Sequence, residues 1–309
     1  MKSCRRLICG MLLFLLMSDP VFCQTESLKV LVVLSEHTAP YLSFAEVLKK
    51  ALPTLRITVL ENTNQPITDM PTVDLLITVG MKASELAATQ SKIPVLAVMI
   101  PRAGYENALS HLPAISPPRK MSAIYLDQPW ARRIEFWHAV IPERRRIGLL
   151  FTQNSNIELT HLQHEVEQRG GSLMVRQVHS NEELFSALES ILTNSDVLFA
   201  IADNEIYSSS NIRNILLTSY RYRIPLIGLS QAYVNAGALC AIFSTPEQLA
   251  IQASRIVITF AQNRELPDAQ YPDDYTIAVN PQVARSLGIE MRSPEAIHSQ
   301  MDKAKEEKR

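Results

Sequence analysis

The chain has 309 residues, and its 30 Lys and Arg residues almost balance 31 Asp and Glu residues. This length suits one large domain or two medium ones. The formal net charge of −1 provides no electrostatic attraction for nucleic acid, so we expect no nucleic-acid partner.

The beginning of the chain has the pattern of a signal peptide. A basic segment containing Lys2, Arg5 and Arg6 precedes an apolar run of eleven residues, 7–17. This run is too short to cross a bilayer, which requires about 20 residues. We therefore predict cleavage after Cys23, export to the periplasm and no stable membrane anchor. An uncleaved anchor is the alternative.

Cysteine usage supports the same interpretation. Cys4, Cys9 and Cys23 lie in the leader, and only Cys240 remains in the rest of the chain. A single cysteine forms no intramolecular disulfide and no multi-cysteine metal site, so the hydrophobic core must hold the fold. Lipid attachment at Cys23 is an alternative, but it requires a small preceding residue and Phe22 occupies that position.

Short aliphatic runs alternate with longer amphipathic stretches in the first part of the chain. The pattern predicts strands at 28–35, 55–60, 75–79 and 95–100, and helices at 41–52 and 82–90. Nearly continuous apolar strands that alternate with helices are typical of a parallel sheet covered on both faces.

The second part of the chain follows the same plan. Strands are predicted at 146–151, 173–178, 197–201 and 226–229, and helices at 157–169, 181–192 and 212–222. The similarity extends to residue types: DLLI at 74–77 matches DVLF at 196–199, and KIPVL at 92–96 matches RIPLI at 223–227. This internal repeat predicts two similar α/β lobes.

Three further strand-like passages predict connections between the lobes. They lie at 121–126, 239–243 and 275–279, and a long helix at 246–262, capped by Thr245, separates the last two. Together they would form a hinge with three crossings.

The predicted fold class is therefore α/β, with two doubly wound parallel-sheet lobes joined by a three-stranded hinge. The N-terminal lobe comprises 24–122 plus 242–274, and the C-terminal lobe comprises 123–241 plus 275–291. The remaining segment, 292–309, is charged and poor in large apolar residues, and we expect a frayed helix or a disordered tail.

Polar residues follow the predicted strands, where open parallel sheets bind ligands beside helix N-termini. Their hydroxyl, amide and carboxylate groups suit a small zwitterion or acid, with Asp203 accepting a hydrogen bond from a ligand ammonium group. The Ser, Asn and Asp residues among them could instead cap helices, and Gly80 could be a plain turn glycine. The candidates are Ser35, Glu36, His37, Gly80, Met81, Lys82, Asn154, Ser155, Asp203, Asn204 and Ser230.

Four aromatic residues are candidates for one wall of a binding cleft, although a buried aromatic residue more often belongs to the core. They are Tyr125, Trp130, Tyr207 and Tyr233.

Signals for catalysis are weak. The sequence GLSQA at 228–232 approaches a nucleophile elbow, but no acid and His pair follows it in a workable order. His161 and His164 share a helix face with two glutamates, and a solvated face explains this spacing better than a metal site does. No phosphate-binding loop motif is present in the sequence. We predict no catalytic residue, cofactor or metal, and we expect Asp203 and Asn204 to contribute more to ligand affinity than the two histidines.

Several motifs of the second lobe resemble the ABC-transporter substrate-binding protein family. They are Asp127-Gln128-Pro129-Trp130, Ile141-Pro142-Glu143, Ala202-Asp203-Asn204, Ile224-Pro225-Leu226-Ile227-Gly228, Gly237-Ala238-Leu239 and the closing run from Val279-Asn280 to Gly288-Ile289. The resemblance covers nearly all of the chain after the leader. It implies the periplasmic-binding-protein type I fold and a ligand in the cleft between the lobes. Better-known members of the family bind aromatic or branched amino acids.

The first lobe departs from the family pattern. Family members tend to have a Gly-Thr-Pro-like turn where this chain has Gly80-Met81-Lys82, and a Thr-Asp-Pro turn where it has Ile100-Pro101-Arg102. Lys82 or Arg102 would add a cation aimed at a ligand carboxylate, so both join the candidate ligand-binding residues.

The resemblance implies a monomeric periplasmic solute-binding protein. It would capture a small ligand, an amino acid or related small acid, and deliver it to an inner-membrane ABC permease. Two alternatives remain open at this point. One is a ligand-sensing protein that signals to a membrane receptor or an outer-membrane partner. The other is a periplasmic hydrolase, for which the sequence provides no recognisable nucleophile and base.

Overall fold

The computed structural model describes residues 28–60, 73–110 and 121–306. The predicted signal peptide lies outside these residues. In the described part of the chain, no helix is both long enough and apolar enough to cross a membrane.

The first lobe is built on a five-stranded parallel sheet with the order β2-β1-β3-β4-β5. Strands β1, β3, β4 and β5 are largely buried because helices cover both faces of the sheet, and all five residues of β3 are inaccessible to solvent, whereas the edge strand β2 is partly exposed. The elements are β1 (Lys29–Leu34), α1 (Ala39–Ala51), β2 (Arg56–Leu60), β3 (Leu75–Val79), α2 (Met81–Gln90), β4 (Val95–Ile100), α3 (Arg102–Ser110) and β5 (Met121–Tyr125).

The second lobe is built on a six-stranded sheet with the order β11-β10-β9-β8-β6-β7. Among the described strands of this sheet, the edge strand β11 runs antiparallel and the other five run parallel to one another. Its strands are β6 (Arg146–Phe151), β7 (Ser172–Gln177), β8 (Val197–Phe199), β9 (Leu226–Gly228), β10 (Cys240–Phe243) and β11 (Thr276–Val279). Its helices are α4 (Trp130–Val140), α5 (Leu159–Gln168), α6 (Leu184–Asn194), α7 (Ile212–Arg221), α8 (Gln231–Ala236), α10 (Pro281–Leu287) and α11 (Pro294–Glu306).

The internal repeat is confirmed at the level of hydrogen bonds. Asp74 precedes β3, and its carboxylate accepts a hydrogen bond of 2.8 Å from the N–H of Lys29, the first residue of β1. Asp196 precedes β8 in the same way, and its carboxylate accepts a hydrogen bond of 3.0 Å from the N–H of Arg146, the first residue of β6. The carbonyl of the proline in each Ile-Pro motif accepts a hydrogen bond from the strand beside it, Pro94 at 3.0 Å and Pro225 at 2.9 Å. The two lobes therefore share one construction.

The chain crosses between the lobes three times, next to β5, β10 and β11. The helix between the last two crossings, α9 (Pro246–Asn263), begins at a Thr245 capping box and packs against α1 of the first lobe. The crossings fall just after β5 and β10 end. The predicted lobe boundaries at 122/123 and 241/242 therefore lie inside strands and need correction by a few residues.

The C-terminal segment corrects another expectation. A frayed or disordered tail was predicted for 292–309, but α11 packs against α4 and β11. Ile297 is fully buried and Met301 is almost so. Two apolar side chains one turn apart are enough to hold an otherwise charged helix on the lobe.

Candidate functional site

A cleft of about 270 Å³ lies between the lobes. It is formed at the carboxyl ends of the strands, because the segments that follow β5, β6 and β8 all contribute to its walls. The first lobe contributes the start of α3, and the second contributes the starts of α4 and α5. The lining includes Arg102, Asp127, Trp130, Arg133, Ser155, Asn156, Glu158, His161 and Tyr271.

Asp127 lies in the first crossing, two residues after β5 ends. Its Oδ2 accepts a hydrogen bond of 2.6 Å from the backbone N–H of Arg102. Burial raises the pKa of the Asp127 carboxyl, and the charges of Arg133 and Arg102 act in the opposite direction. The cleft therefore contains a carboxylate that is poorly hydrated and close to two arginines.

Arg133 follows on α4, three residues after Trp130, so both side chains lie on one helix face. Its guanidinium is buried, stacks 4.5 Å from the Trp130 ring centre and 5.3 Å from that of Phe199, and donates to the carbonyl of Ala200. That is the single hydrogen bond its side chain makes to the described residues. Desolvation lowers the pKa of Arg133 to about 10, and Asp127 opposes the shift.

Arg102 connects the two sides of the cleft. Its Nε donates to Glu106 Oε1 at 2.6 Å and an Nη donates to the Tyr271 hydroxyl at 3.1 Å, while Glu158 of the opposite lobe lies 3.9 Å away. These partners raise the pKa of the Arg102 guanidinium above its usual value, led by the hydrogen bond to Glu106. The Tyr271 ring packs edge-on against Tyr125 at 5.2 Å.

Direct polar contacts join the lobes beside the cleft. The Asn156 side chain donates to Glu106 Oε2, and the Asn107 amide nitrogen lies 3.4 Å from the Asn154 carbonyl oxygen. These contacts link α3 of the first lobe to the short turn Gln153–Ser155 and its flank in the second.

Six of the predicted first-lobe residues do not line this cleft. The structure places Ser35, Glu36, His37, Gly80, Met81 and Lys82 together at the ends of β1 and β3.

Local contacts engage four of these six residues. Ser35 Oγ accepts a hydrogen bond from the backbone N–H of Ala83 at 2.9 Å, and Lys82 forms an exposed ion pair with Glu36 at 3.0 Å. Gly80 has φ +88°, and a Cβ there would come within 2.5 Å of the Tyr41 hydroxyl, so its role is close packing.

Arg102 is the predicted first-lobe residue that does reach the cleft. In the second lobe Ser155 also lines it, whereas the Asn154 side chain donates to Glu205 at 2.8 Å. Asn204 is exposed outside the cleft lining, and Ser230 begins α8.

Asp203 is part of the wall behind the cleft. One of its oxygens accepts hydrogen bonds from the N–H and hydroxyl of Thr152 and from the Ser155 hydroxyl. The other accepts from the N–H groups of Glu205 and Ile206, at 3.0 and 3.1 Å. Five donors leave little capacity for a ligand ammonium group, so the geometry favours a structural role for Asp203 over the predicted one.

The cleft also contains residues that sequence reasoning did not select. Asp127 belongs to a motif that supported the family resemblance, but it was not selected as a ligand contact. Trp130 belongs to the same motif and was considered only for an aromatic wall. Arg133 follows Trp130 by three residues, and this helical spacing could have indicated it. No local pattern in the sequence indicates Tyr271. Of the other aromatic candidates, Tyr125 and Tyr207 are buried in the lobes.

The two histidines that were predicted to lie on a solvated helix face have different surroundings in the structure. His161 lines the mouth of the cleft, and His164 hydrogen-bonds to Gln168 at 2.8 Å on the exposed face of α5. Across residues 28–60, 73–110 and 121–306, no three His, Cys, Asp or Glu side chains are grouped as a metal site requires.

Two similar α/β lobes, three crossings and a cleft at the strand ends define a two-lobed ligand-binding protein with the periplasmic-binding-protein type I fold. Residues 56–305 match the family described as ABC transporter substrate binding protein. The chain therefore belongs to the ABC transporter substrate-binding protein family.

Individual relatives are distant in sequence. A tyrosine-binding protein of Clostridioides difficile (strain R20291) is 22% identical over 171 residues, which are 54% of this chain and 49% of the relative. The chain thus matches about half the length of this curated relative.

Solved structures show the same fold. The ABC domain in complex with L-Trp from Streptococcus pneumoniae has a TM-score of 0.63 and 16% identity, covering 89% of this chain and 98% of that one. A ligand-free, open substrate-binding protein with adhesive properties from Clostridium difficile has a TM-score of 0.64 and 19% identity, covering 87% and 98%.

Proposed function

We propose that this protein binds an aromatic amino acid as a zwitterion in the cleft between its lobes. The observation that carries the proposal is the placement of Asp127 and Arg133, two oppositely charged groups, in a cleft that Trp130 and Tyr271 also line.

The charged pair matches the two ends of an α-amino acid. Arg133 uses one hydrogen bond, to Ala200, so its remaining N–H groups are free to bind a carboxylate. Asp127 accepts one strong hydrogen bond and retains lone pairs for an ammonium group. Because buried charges with few partners are costly, a ligand that supplies both partners lowers the free energy of the closed site.

The aromatic walls favour a planar side chain. Trp130 and Tyr271 present ring surface that gains from stacking or edge-on contact, by about 0.5–1.5 kcal/mol per pair. Two similar proteins, a tyrosine-binding protein and a domain solved in complex with L-Trp, support the same class of side chain.

The cellular role follows from the family and is part of the proposal. The exported protein would act as a periplasmic monomer without catalysis and deliver its ligand to an inner-membrane ABC permease. A ligand-sensing role would use the same cleft. Ligand uptake in cells that lack this protein distinguishes the two, because only the transport role predicts a loss of uptake.

Isothermal titration calorimetry with L-Trp, L-Tyr, L-Phe and L-Leu tests the proposed ligand class. We expect the aromatic amino acids to bind more tightly than L-Leu. Tryptamine and indole-3-propionate, which lack the carboxylate and the ammonium group respectively, should each bind about 10- to 150-fold more weakly than L-Trp, since a charged hydrogen bond contributes about 1.5–3 kcal/mol.

Variants connect this loss to the residues. Arg133→Met should reduce affinity for L-Trp but leave tryptamine binding almost unchanged, while Arg176→Met, an exposed control, should leave both unchanged. Equal affinity for tryptamine and L-Trp in the unmodified protein would refute the assignment of Arg133. Absence of binding by every amino acid would refute the proposed function.

A further inference from the structure

A second surface with a defined chemistry lies at the amino ends of the strands of the second sheet, far from the cleft at their carboxyl ends. We call it the basic surface. It consists of Arg144, Arg145, Arg146, Tyr220, Arg221, Tyr222 and Arg223.

Sheet topology brings the two halves of the basic surface together. The first group lies at the start of β6 and the second precedes β9, and these two strands are separated only by β8. The register is fixed because the N–H of Asp196 donates to the Arg146 carbonyl at 2.7 Å and that of Leu198 to the Pro225 carbonyl at 2.9 Å. Two strand spacings amount to about 10 Å, so the two groups form one continuous surface.

Positive charge dominates this surface. It contains five arginines, whereas the same turns contribute two carboxylates, Glu143 and Asp196. Asp196 is already paired with Arg146 at 2.7 Å. Within the described residues, Arg145, Arg221 and Arg223 form no ion pair. The chain from 206 to 246 contains no Asp or Glu.

Arg223 is held in a backbone conformation that normally favours glycine. Its φ is +58°, and it lies two residues after α7 ends. Arg264 has a similar φ of +60° after α9, but its side chain pairs with Asp74 at 3.2 Å. Arg223 directs its charge to solvent instead.

Aromatic side chains accompany the arginines. Tyr220 and Tyr222 are 50% and 40% exposed, and Leu217, one turn before them on α7, is 49% exposed. Large rings that remain in solvent beside unpaired cations indicate a surface that a partner covers.

We propose that the basic surface binds an anionic phospholipid bilayer. Guanidinium groups bind lipid phosphates, and tyrosine rings lie at the level of the headgroups, with their hydroxyls in water and their rings in the interface. Binding here leaves the cleft at the opposite ends of the strands accessible. This proposal does not depend on the identity of the cleft ligand.

Flotation of the protein with phosphatidylcholine vesicles, with and without phosphatidylglycerol, tests the proposal. We expect binding only to the anionic vesicles, weakening as salt is raised. Arg221→Gln/Arg223→Gln should bind about thirtyfold more weakly, because each arginine near an anionic surface contributes about 1 kcal/mol. Tyr220→Ser/Tyr222→Ser should also weaken binding to these vesicles, and the loss should be smaller at low salt than at high salt.

The matched control is Lys49→Gln/Lys50→Gln, which removes two exposed charges at the end of α1 in the other lobe. It should bind vesicles like the unmodified protein. Circular dichroism confirms that each variant is folded. Failure to bind anionic vesicles, equal loss in the control, or salt-insensitive binding would overturn the proposal. So would self-association that the tyrosine variant abolishes while vesicle binding is unchanged, because the surface would then join two copies of the chain.

Discussion

At the scale of single residues, Asp127 connects ligand binding to pH. Burial raises the pKa of its carboxyl, so on acidification it takes up a proton at a higher pH than an ordinary aspartate does. Only the ionised carboxylate pairs with a ligand ammonium group. We therefore expect affinity for L-Trp to be greatest at pH values above this raised pKa and to fall as the pH decreases through it.

Calorimetric titrations across a pH series measure this dependence. Asp127→Asn should bind L-Trp more weakly at pH values above the raised pKa and show a flatter pH profile, whereas the exposed control Asp268→Asn should retain the original profile. A profile that is the same in the Asp127→Asn protein and the unmodified protein would assign the titration to another group.

Asp203 is expected to contribute to stability instead of ligand contact. Asp203→Ala removes an acceptor shared by five donors, among them the Thr152 hydroxyl and the buried N–H of Ile206. We expect the free energy of unfolding to fall by about 3 kcal/mol or more. Asn204→Ala, at the exposed neighbour, should change it by less than about 0.5 kcal/mol.

Urea unfolding monitored by circular dichroism gives both values. Titration with L-Trp of whatever Asp203→Ala protein remains folded separates the two roles. An Asp203→Ala protein of normal stability that no longer binds ligand would restore the role predicted from the sequence.

At the scale of secondary structure, α11 provides a test of packing. Met301→Ala should lower the free energy of unfolding by about 2–4 kcal/mol, because it opens a cavity between α11 and α4. Lys303→Ala, on the exposed side of the same helix, should have little effect. Equal unfolding midpoints in urea for the two variants would show that α11 does not pack on the lobe.

Elements with a strong apolar pattern were predictable from the sequence. The strands predicted at 75–79, 95–100 and 146–151 coincide with β3, β4 and β6 because β-branched and aliphatic runs specify buried parallel strands. Helix α3 was not predicted, since it buries Tyr105 and has no broad apolar face. The packing of α11 on the lobe was missed for a similar reason: two buried side chains in thirteen residues give a weak pattern.

The binding site was less predictable than the fold. The rule that ligands bind at the carboxyl ends of strands selected the correct end of each sheet, but several strands end there. Which turns border the cleft depends on how the lobes face each other, and no local pattern encodes this. Tyr271 reaches the cleft from the third crossing, far along the chain from its partner Arg102.

At the scale of the whole molecule, the contacts across the cleft predict a shift between open and closed forms. Asn156 contacts Glu106, and Arg102 lies near Glu158, so polar contacts hold the lobes together across the cleft. Glu106→Ala/Asn156→Ala should shift the ligand-free protein toward the open form and increase its radius of gyration.

Small-angle X-ray scattering measures this change. A saturating aromatic amino acid should restore the compact form in the variant, because the ligand binds both lobes. Glu46→Ala/Lys50→Ala, which removes an ion pair within α1, is the control and should scatter like the unmodified protein. Radii that are the same with and without ligand in the variant would argue against a hinge.

The single cysteine of the described chain has a practical consequence. Cys240 is buried in β10, and burial raises the pKa of its thiol well above the usual range, so little reactive thiolate forms at neutral pH. A chain expressed from residue 24 would consequently show little background reaction with maleimide dyes. Cysteines introduced at the exposed positions Glu46 and Glu189, one in each lobe, would accept a donor and an acceptor fluorophore. Lobe closure could then be recorded in real time by energy transfer, which would make the protein a reagentless sensor for its own ligand.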